Sequence, residues 1–231
     1  MIAVTRSAEP ASLTRNALSW TAEYQAARLA LDADPKNKSL KKDKETAEAK
    51  YRQADIQTAL KTIFKDKCAF CERKRDYPHI EHFKPKTTYP EACFDWNNLL
   101  LACEVCNSAT YKGVKFPLDA QGNPLFINPC DDDPALHIDF VIEKDDNSEN
   151  GFIARLKAKT PKGDKTIHEL GLNRLNLLKE RNQYLLPYYP YLAKKAEEGD
   201  AQALAILDKA CSADWMFAAF ARALRGTIIM P

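Results

Sequence analysis

The sequence predicts an α+β protein, mainly helical, in three stretches: a helical hairpin over residues 1–64, a cysteine-stapled module over 65–117, and a mixed, mostly helical region over 118–231. Three observations carry this. Apolar residues recur every three or four positions near both ends of the chain. Two Cys-x-x-Cys pairs, Cys68/Cys71 and Cys103/Cys106, bracket a proline-punctuated middle without helical periodicity. A short alternating segment at 136–142 and another at 152–158, separated by a polar turn cluster at 145–151, read as a β-hairpin.

In the first stretch Leu13, Ala17, Trp20, Tyr24, Ala27 and Leu31 lie on one helical face, and Asp34-Pro35 ends it. A lysine-rich run at 36–44 follows and reads as a solvated turn and the first exposed turn of a helix. The second helical pattern then passes through Ala47, Tyr51, Ile56, Leu60 and Ile63. In the last stretch Leu172, Leu175 and Leu178, then Leu204 and Leu207, then Phe217, Phe220 and Leu224 are again helical. The segment 213–224 is apolar around much of its circumference; packing on the body of this chain is the favoured reading, with docking on a partner as the alternative.

The 45% hydrophobic and 10% aromatic content of the 231 residues suits a folded core. A formal charge of +2 is too balanced to signal nucleic-acid binding, so any basic footprint has to be local. No apolar run approaches a bilayer span and no signal peptide is visible, which predicts a cytoplasmic protein with no membrane contact and with reduced thiols. There is no glycine-rich phosphate loop, so nucleotide binding by this chain is not expected.

The middle stretch carries the chemistry. A two-residue gap lets one tight knuckle aim both sulfurs at a single metal, so two such pairs predict a four-thiolate structural zinc. The interval between the pairs is longer than in a compact ribbon, and it holds His79-Ile80-Glu81-His82-Phe83-Lys84-Pro85. Adjacent strand residues face opposite ways, so Glu81 and His82 serve one site only at a bend or strand end. Pro85 supplies one, because it has no N–H to continue a ladder. His79 shares a face with Glu81 and reads either as a polar strand residue or as a further ligand. Cys93, Cys130 and Cys211 read as small packed hydrophobes, and His137, His168 and the run at 131–133 as surface or packing groups.

Cys68-x-x-Cys71, Glu81-His82-Phe83-x-Pro85, Asn98-Leu99 and Cys103-x-x-Cys106-Asn107 resemble, in order and spacing, the HNH or ββα-metal nuclease module. With Trp96-Asn97-Asn98-Leu99, Phe116-Pro117 and the helical flanks, the chain more narrowly resembles the HNH subunit of Septu-type and retron-associated antiphage systems. The resemblance implies an endonuclease in which His82 is the general base, Asn98 orients it, and Glu81 and Asn107 hold a single divalent ion such as Mg²⁺ or Mn²⁺. Partners implied are an ATPase subunit and, in retron systems, a reverse transcriptase with its RNA–DNA product. DNA is the default substrate, while retron-associated relatives point to RNA and tRNA. The family lysine usually stands two or three residues after the asparagine, whereas here Lys112 stands five after Asn107; Lys112, Lys115 and Lys84 are expected as nucleic-acid contacts. A non-catalytic zinc-ribbon adaptor is the competing expectation. It accounts for the cysteines and leaves Glu81, His82, Asn98 and Asn107 without a role.

Overall fold

A computed structural model describes residues 1–148 and 151–227. Helix α1 (Ala11–Ala33) follows Pro10 and buries Leu13 and Tyr24. It has no cap of its own; Asp55 from the third helix accepts from the Ser12 amide at 2.9 Å and from its hydroxyl at 2.7 Å. Helix α2 (Lys38–Glu48) starts where the Asn37 side chain accepts from the Ser39 and Leu40 amides, a standard N-cap. It returns along α1, giving the expected hairpin.

The second helical pattern is not one helix. It breaks into a 3-10 turn at Ala49–Arg52, an extended Gln53, and α3 (Ala54–Phe64). The break lets Tyr51 bury against the central module while α3 buries Ile56, Leu60 and Phe64 on a face of its own. Periodicity alone ran through the turn because it reports spacing and not the direction a buried side chain takes.

In the middle stretch β1 (His79–His82) pairs antiparallel with β2 (Leu99–Ala102), placing Glu81 opposite Leu100 and His82 opposite Leu99. All four residues of β2 are buried. The one-turn helix α4 (Glu104–Asn107) follows, with the Cys103 sulfur accepting from the Cys106 amide at its start. The order is therefore strand, strand, short helix, closed at both ends by the cysteine knuckles.

Strand β3 (Ile138–Lys144) pairs antiparallel with β4 (Phe152–Ala158), from Ile138 opposite Ala158 to Lys144 opposite Phe152. The expected hairpin is present, shifted by two residues at its start, and positions 149–150 of its turn cluster lie outside the described residues. Helices α5 (Pro161–Glu169), α6 (Leu175–Leu185), α7 (Tyr189–Glu197), α8 (Ala201–Ala210) and α9 (Ala218–Thr227) complete the described residues. Helix α9 lies on β3, with the Phe140 and Phe220 rings edge to face at 5.5 Å. Phe217 to Ala221 are buried, so the apolar stretch at 213–224 packs on the chain's own body and that segment is not a free docking face.

The architecture is mixed α+β and about half helical. One hydrophobic core draws on all three stretches, joining Leu13 and Leu60 to Leu99 to Leu101 and on to Leu170 and Phe217. Among the described residues no helix is long and apolar enough to cross a membrane.

Candidate active site and metal cage

The four cysteines of the two knuckles converge. Their sulfurs all lie within 4.8 Å of one another, and those of Cys71 and Cys103 are 3.8 Å apart. A tetrahedral ion with metal–sulfur bonds of about 2.3 Å spaces its ligands by about 3.8 Å, so the cage can hold a metal such as zinc. Donation from Cys106, then from Cys68 and Cys71, pulls the Cys103 thiol far below its ordinary value, whereas Cys68 and Cys106 are pushed up, Cys68 chiefly by burial and Cys106 chiefly by its bond to Cys103. Knuckle geometry comes from backbone: Glu72 takes a left-handed conformation (φ 61°) and its amide donates to Cys68 O at 3.0 Å. Two guanidiniums complete the shell. Arg73 donates to the Cys103 sulfur at 3.9 Å and Arg174 to that of Cys106 at 3.6 Å, and Arg73 also pairs with Glu180 of α6. Two positive charges suit a tetrathiolate carrying a net charge of −2 with a divalent ion, and they tie α6 to the cage.

A cleft of about 570 Å³ is lined by His79, Glu81, His82 and Asn107, the residue after Cys106, together with Tyr51, Arg52 and Lys86. His82 is the last residue of β1, and the strand ends there, which allows it and Glu81 to border one space. His82 is 4% exposed. Nε2 lies 2.9 Å from the carbonyl oxygen of Cys93. A carbonyl only accepts, so the proton sits on Nε2 and the lone pair on Nδ1. Burial, followed by the Lys86 charge, pushes the imidazole down to about 3, so His82 is a free base at neutral pH.

Glu81 is buried as well, and burial pushes its carboxyl up to about 7 against the pull of Lys112. The Lys112 ammonium sits 3.2 Å from Glu81 Oε1 and donates to the His82 carbonyl at 3.2 Å. Asn107, at the end of α4, donates its backbone amide to the Cys103 carbonyl at 3.0 Å and contributes a side-chain amide without a hydrogen-bond partner among the described residues. The carboxylate and amide oxygens are hard donors of the kind Mg²⁺ and Mn²⁺ prefer. Lys112 engages one Glu81 oxygen and leaves the other.

Four of the expected site residues are placed differently. Asn98 does not touch His82. Its side chain accepts from the Lys84 amide at 2.7 Å and donates to the Lys84 carbonyl at 3.0 Å and the Ala92 carbonyl at 2.8 Å. It braces the loop that carries Cys93, so its hold on His82 is indirect, through the neighbouring carbonyl. Lys112 is not a nucleic-acid contact: its side chain has no exposure, because an unpaired Glu81 in this interior needs an internal cation. Lys115 is drawn away to Glu169 of α5 at 2.9 Å, and neither it nor the exposed Lys84 lines the cleft.

The basic groups that do line it, Arg52 and Lys86, escaped sequence reading, as did Tyr51, the Cys93 carbonyl, Arg73 and Arg174. Lys86 follows Pro85 directly, so proximity to the motif was a usable signal for it. Arg174 lies 68 positions from Cys106, and nothing local marks it.

The chain is 32% identical over 236 residues to the Septu protein PtuB of Bacillus mycoides (strain KBAB4), an alignment spanning 90% of this chain and 71% of that protein. It is 37% identical over 127 residues to the Septu protein PtuB of Bacillus thuringiensis, spanning 53% of this chain and 43% of that protein. No family model and no solved structure matches it. With a third of its residues shared along nearly its whole length, and with most of the relative's length covered, this chain belongs to the family of the Septu protein PtuB.

Proposed function

We propose that the chain is a metal-dependent HNH endonuclease that hydrolyses phosphodiester bonds, and that it serves as the effector subunit of an antiphage defence complex. The carrying observation is the cleft in which Glu81, His82 and Asn107 meet, with His82 held in one tautomer by the Cys93 carbonyl and Asn107 directly following a cysteine of the four-sulfur cage. In this reading Nδ1 of His82 takes the proton from the attacking water. The Cys93 carbonyl keeps the ring oriented and steadies the imidazolium as it forms. Asn98 keeps that carbonyl in place through the Ala92 and Lys84 bonds. Glu81 and Asn107, with His79 as a further donor, would hold one divalent ion such as Mg²⁺ or Mn²⁺, which supplies Lewis-acid stabilisation of charge on the phosphate oxygens. Zinc in the cysteine cage is structural.

Membership of the Septu family supports the defence role and an ATPase partner; a reverse transcriptase with its RNA–DNA product is the partner in a retron setting. The test offers supercoiled DNA and total tRNA, each with Mg²⁺ or Mn²⁺, to the purified chain with and without its partner, and compares His82→Ala. Cleavage by the native chain that is lost in the variant supports the mechanism. Cleavage that survives the substitution sinks it, and no cleavage of either substrate by any combination favours the zinc-ribbon adaptor. Sequencing the nucleic acid cut in cells after the system is triggered separates DNA from RNA.

A further inference from the structure

The wall of the cleft opposite the motif comes from the N-terminal stretch and from the loop after β1. Tyr51 and Arg52 end the 3-10 turn between α2 and α3, and Lys86 follows Pro85. Tyr51 is 4% exposed, and its ring meets the His82 imidazole edge to face at 4.7 Å and 89°. The same ring carries two cations. The Arg52 guanidinium lies 5.4 Å from its centroid and the Lys86 ammonium 5.3 Å, both within cation–π range. Arg52 Nε also donates to the Tyr51 hydroxyl at 3.3 Å. One aromatic side chain thus fixes two positive groups relative to the imidazole.

Charge on this wall is not balanced. Lys86 pairs with Glu48 at 3.4 Å, and Glu48 is already engaged by Lys44. Arg52 is exposed, forms no ion pair among the described residues, and keeps both Nη groups without a hydrogen bond there. Glu48 and Lys44 stand behind the cleft rather than in its lining, so Lys86 shares its one carboxylate partner with another cation while Arg52 has none, and the lining itself carries a net positive charge at these two residues. Deeper in the cleft Glu81 and Lys112 cancel each other. A polyanion approaching the cleft therefore meets its positive charge at Arg52 and Lys86, beside the proposed base.

We propose that Arg52 and Lys86, positioned by Tyr51, are the phosphate-binding pair that seats a nucleic-acid backbone against His82. The inference rests on the nuclease reading and adds to it the residues that grip the substrate, supplied from outside the motif. A guanidinium with two free Nη groups suits bidentate contact to phosphate oxygens, and the lysine adds a point charge. Backbone contacts of this kind carry no base information, so the pair would act on DNA and RNA alike. Arg28 holds the Lys86 loop in place by donating to the carbonyls of Lys86 and Thr87 at 3.2 and 3.0 Å.

The experiment uses the full chain with His82→Ala as a binding-competent parent. Fluorescence anisotropy with short labelled DNA, single-stranded and duplex, and with labelled bulk tRNA gives the affinity at several salt concentrations between about 50 and 200 mM. Each phosphate contact contributes roughly 0.7 to 0.9 to the slope of log affinity against log salt. Arg52→Ala should lower the slope by about that amount, Lys86→Met likewise, and the pair by roughly twice as much. Arg52→Lys should restore most of the slope, which a purely structural role would not do. Arg52 is exposed, so its variant should keep its zinc content and melting temperature. Binding that persists in Arg52→Ala and Lys86→Met with an unchanged slope overturns the assignment and leaves the nuclease reading standing. A parent that binds neither DNA nor tRNA, from a native chain that cleaves neither, overturns both.

Discussion

Replacing Lys112 with methionine should destabilise the folded chain as pH rises, and the loss should be recovered by also replacing Glu81 with glutamine. The Lys112 side chain has no exposure and that of Glu81 is 7% exposed, with 3.2 Å between the charges. At an effective dielectric of 20 their attraction is about 5 kcal/mol, much of which offsets the cost of burying both groups. Removing the lysine leaves the buried carboxyl without a cation: the cost should be small near pH 6, where Glu81 is neutral, and should grow with pH towards that of an uncompensated buried charge, about 3 to 5 kcal/mol. Glu81→Gln/Lys112→Met removes both charges and should lie within about 1 to 2 kcal/mol of the parent. The sign with pH is fixed by the direction of the Glu81 shift. Its folded value, about 7, is above the unfolded one, so its contribution is fully present below about 4.5 and is lost as pH rises through 7. Without Lys112 the carboxyl rises further, so the single variant should go on losing about 1.4 kcal/mol per pH unit above 7 while the parent levels off. Urea unfolding of the zinc-loaded chain, without added Mg²⁺ or Mn²⁺, at pH 6, 7 and 8 measures all of this. A single variant as stable as the parent across that range, or a double variant no better than the single, would refute the buried pair.

Asn98→Ala should cost about 2 to 4 kcal/mol in the same assay, because it orphans the Lys84 amide and carbonyl and leaves the Ala92 carbonyl only the long bond from the Asp95 amide, and cleavage should fall with it as the Cys93 carbonyl loosens. Metal analysis should find one zinc per chain that survives His82→Ala and is lost on Cys68→Ser or Cys106→Ser. Hydrogen exchange after chelation should show α6 opening along with the knuckles, since Arg174 and the Arg73–Glu180 pair join it to the cage. Truncation before Ala213 should lower the melting temperature of the zinc-bearing module itself; Lys67 donates to the Trp215 carbonyl at 2.8 Å, and Phe217 and Phe220 are buried. A truncated chain that melts like the intact one would return that segment to the docking role.

Much of the local structure was legible in the sequence. Period-3.6 faces located α1, α6, α8 and α9 but marked neither α5 nor α7, alternation located β3 and β4, and the two-residue cysteine gaps located the cage. The break at Gln53 was not legible, because Tyr51 and Ile56 continue the apolar rhythm while facing different neighbours. Asn98 was placed in the site by motif order, yet order does not say which backbone groups an amide will satisfy. Those turned out to be the loop around it, and the ring is held by Cys93 instead.

By itself the sequence determined the thiolate cage, the strand end at His82 that lets two adjacent residues share a space, and the presence of Glu81 and Asn107 beside it. The cysteine knuckles and the strand end follow from short spacings, whose geometry the backbone dictates, and Glu81 and Asn107 from the motif the chain resembles. Only the tertiary structure decided where the charges go. Lys112 is 31 positions from Glu81, Arg174 is 68 from Cys106, and Tyr51 is 31 from His82; burial at each place requires a compensating or complementary group that packing selects and no local pattern announces. The basic groups at the cleft accordingly come from outside the motif's lysines, and the lysine nearest the expected position serves the interior.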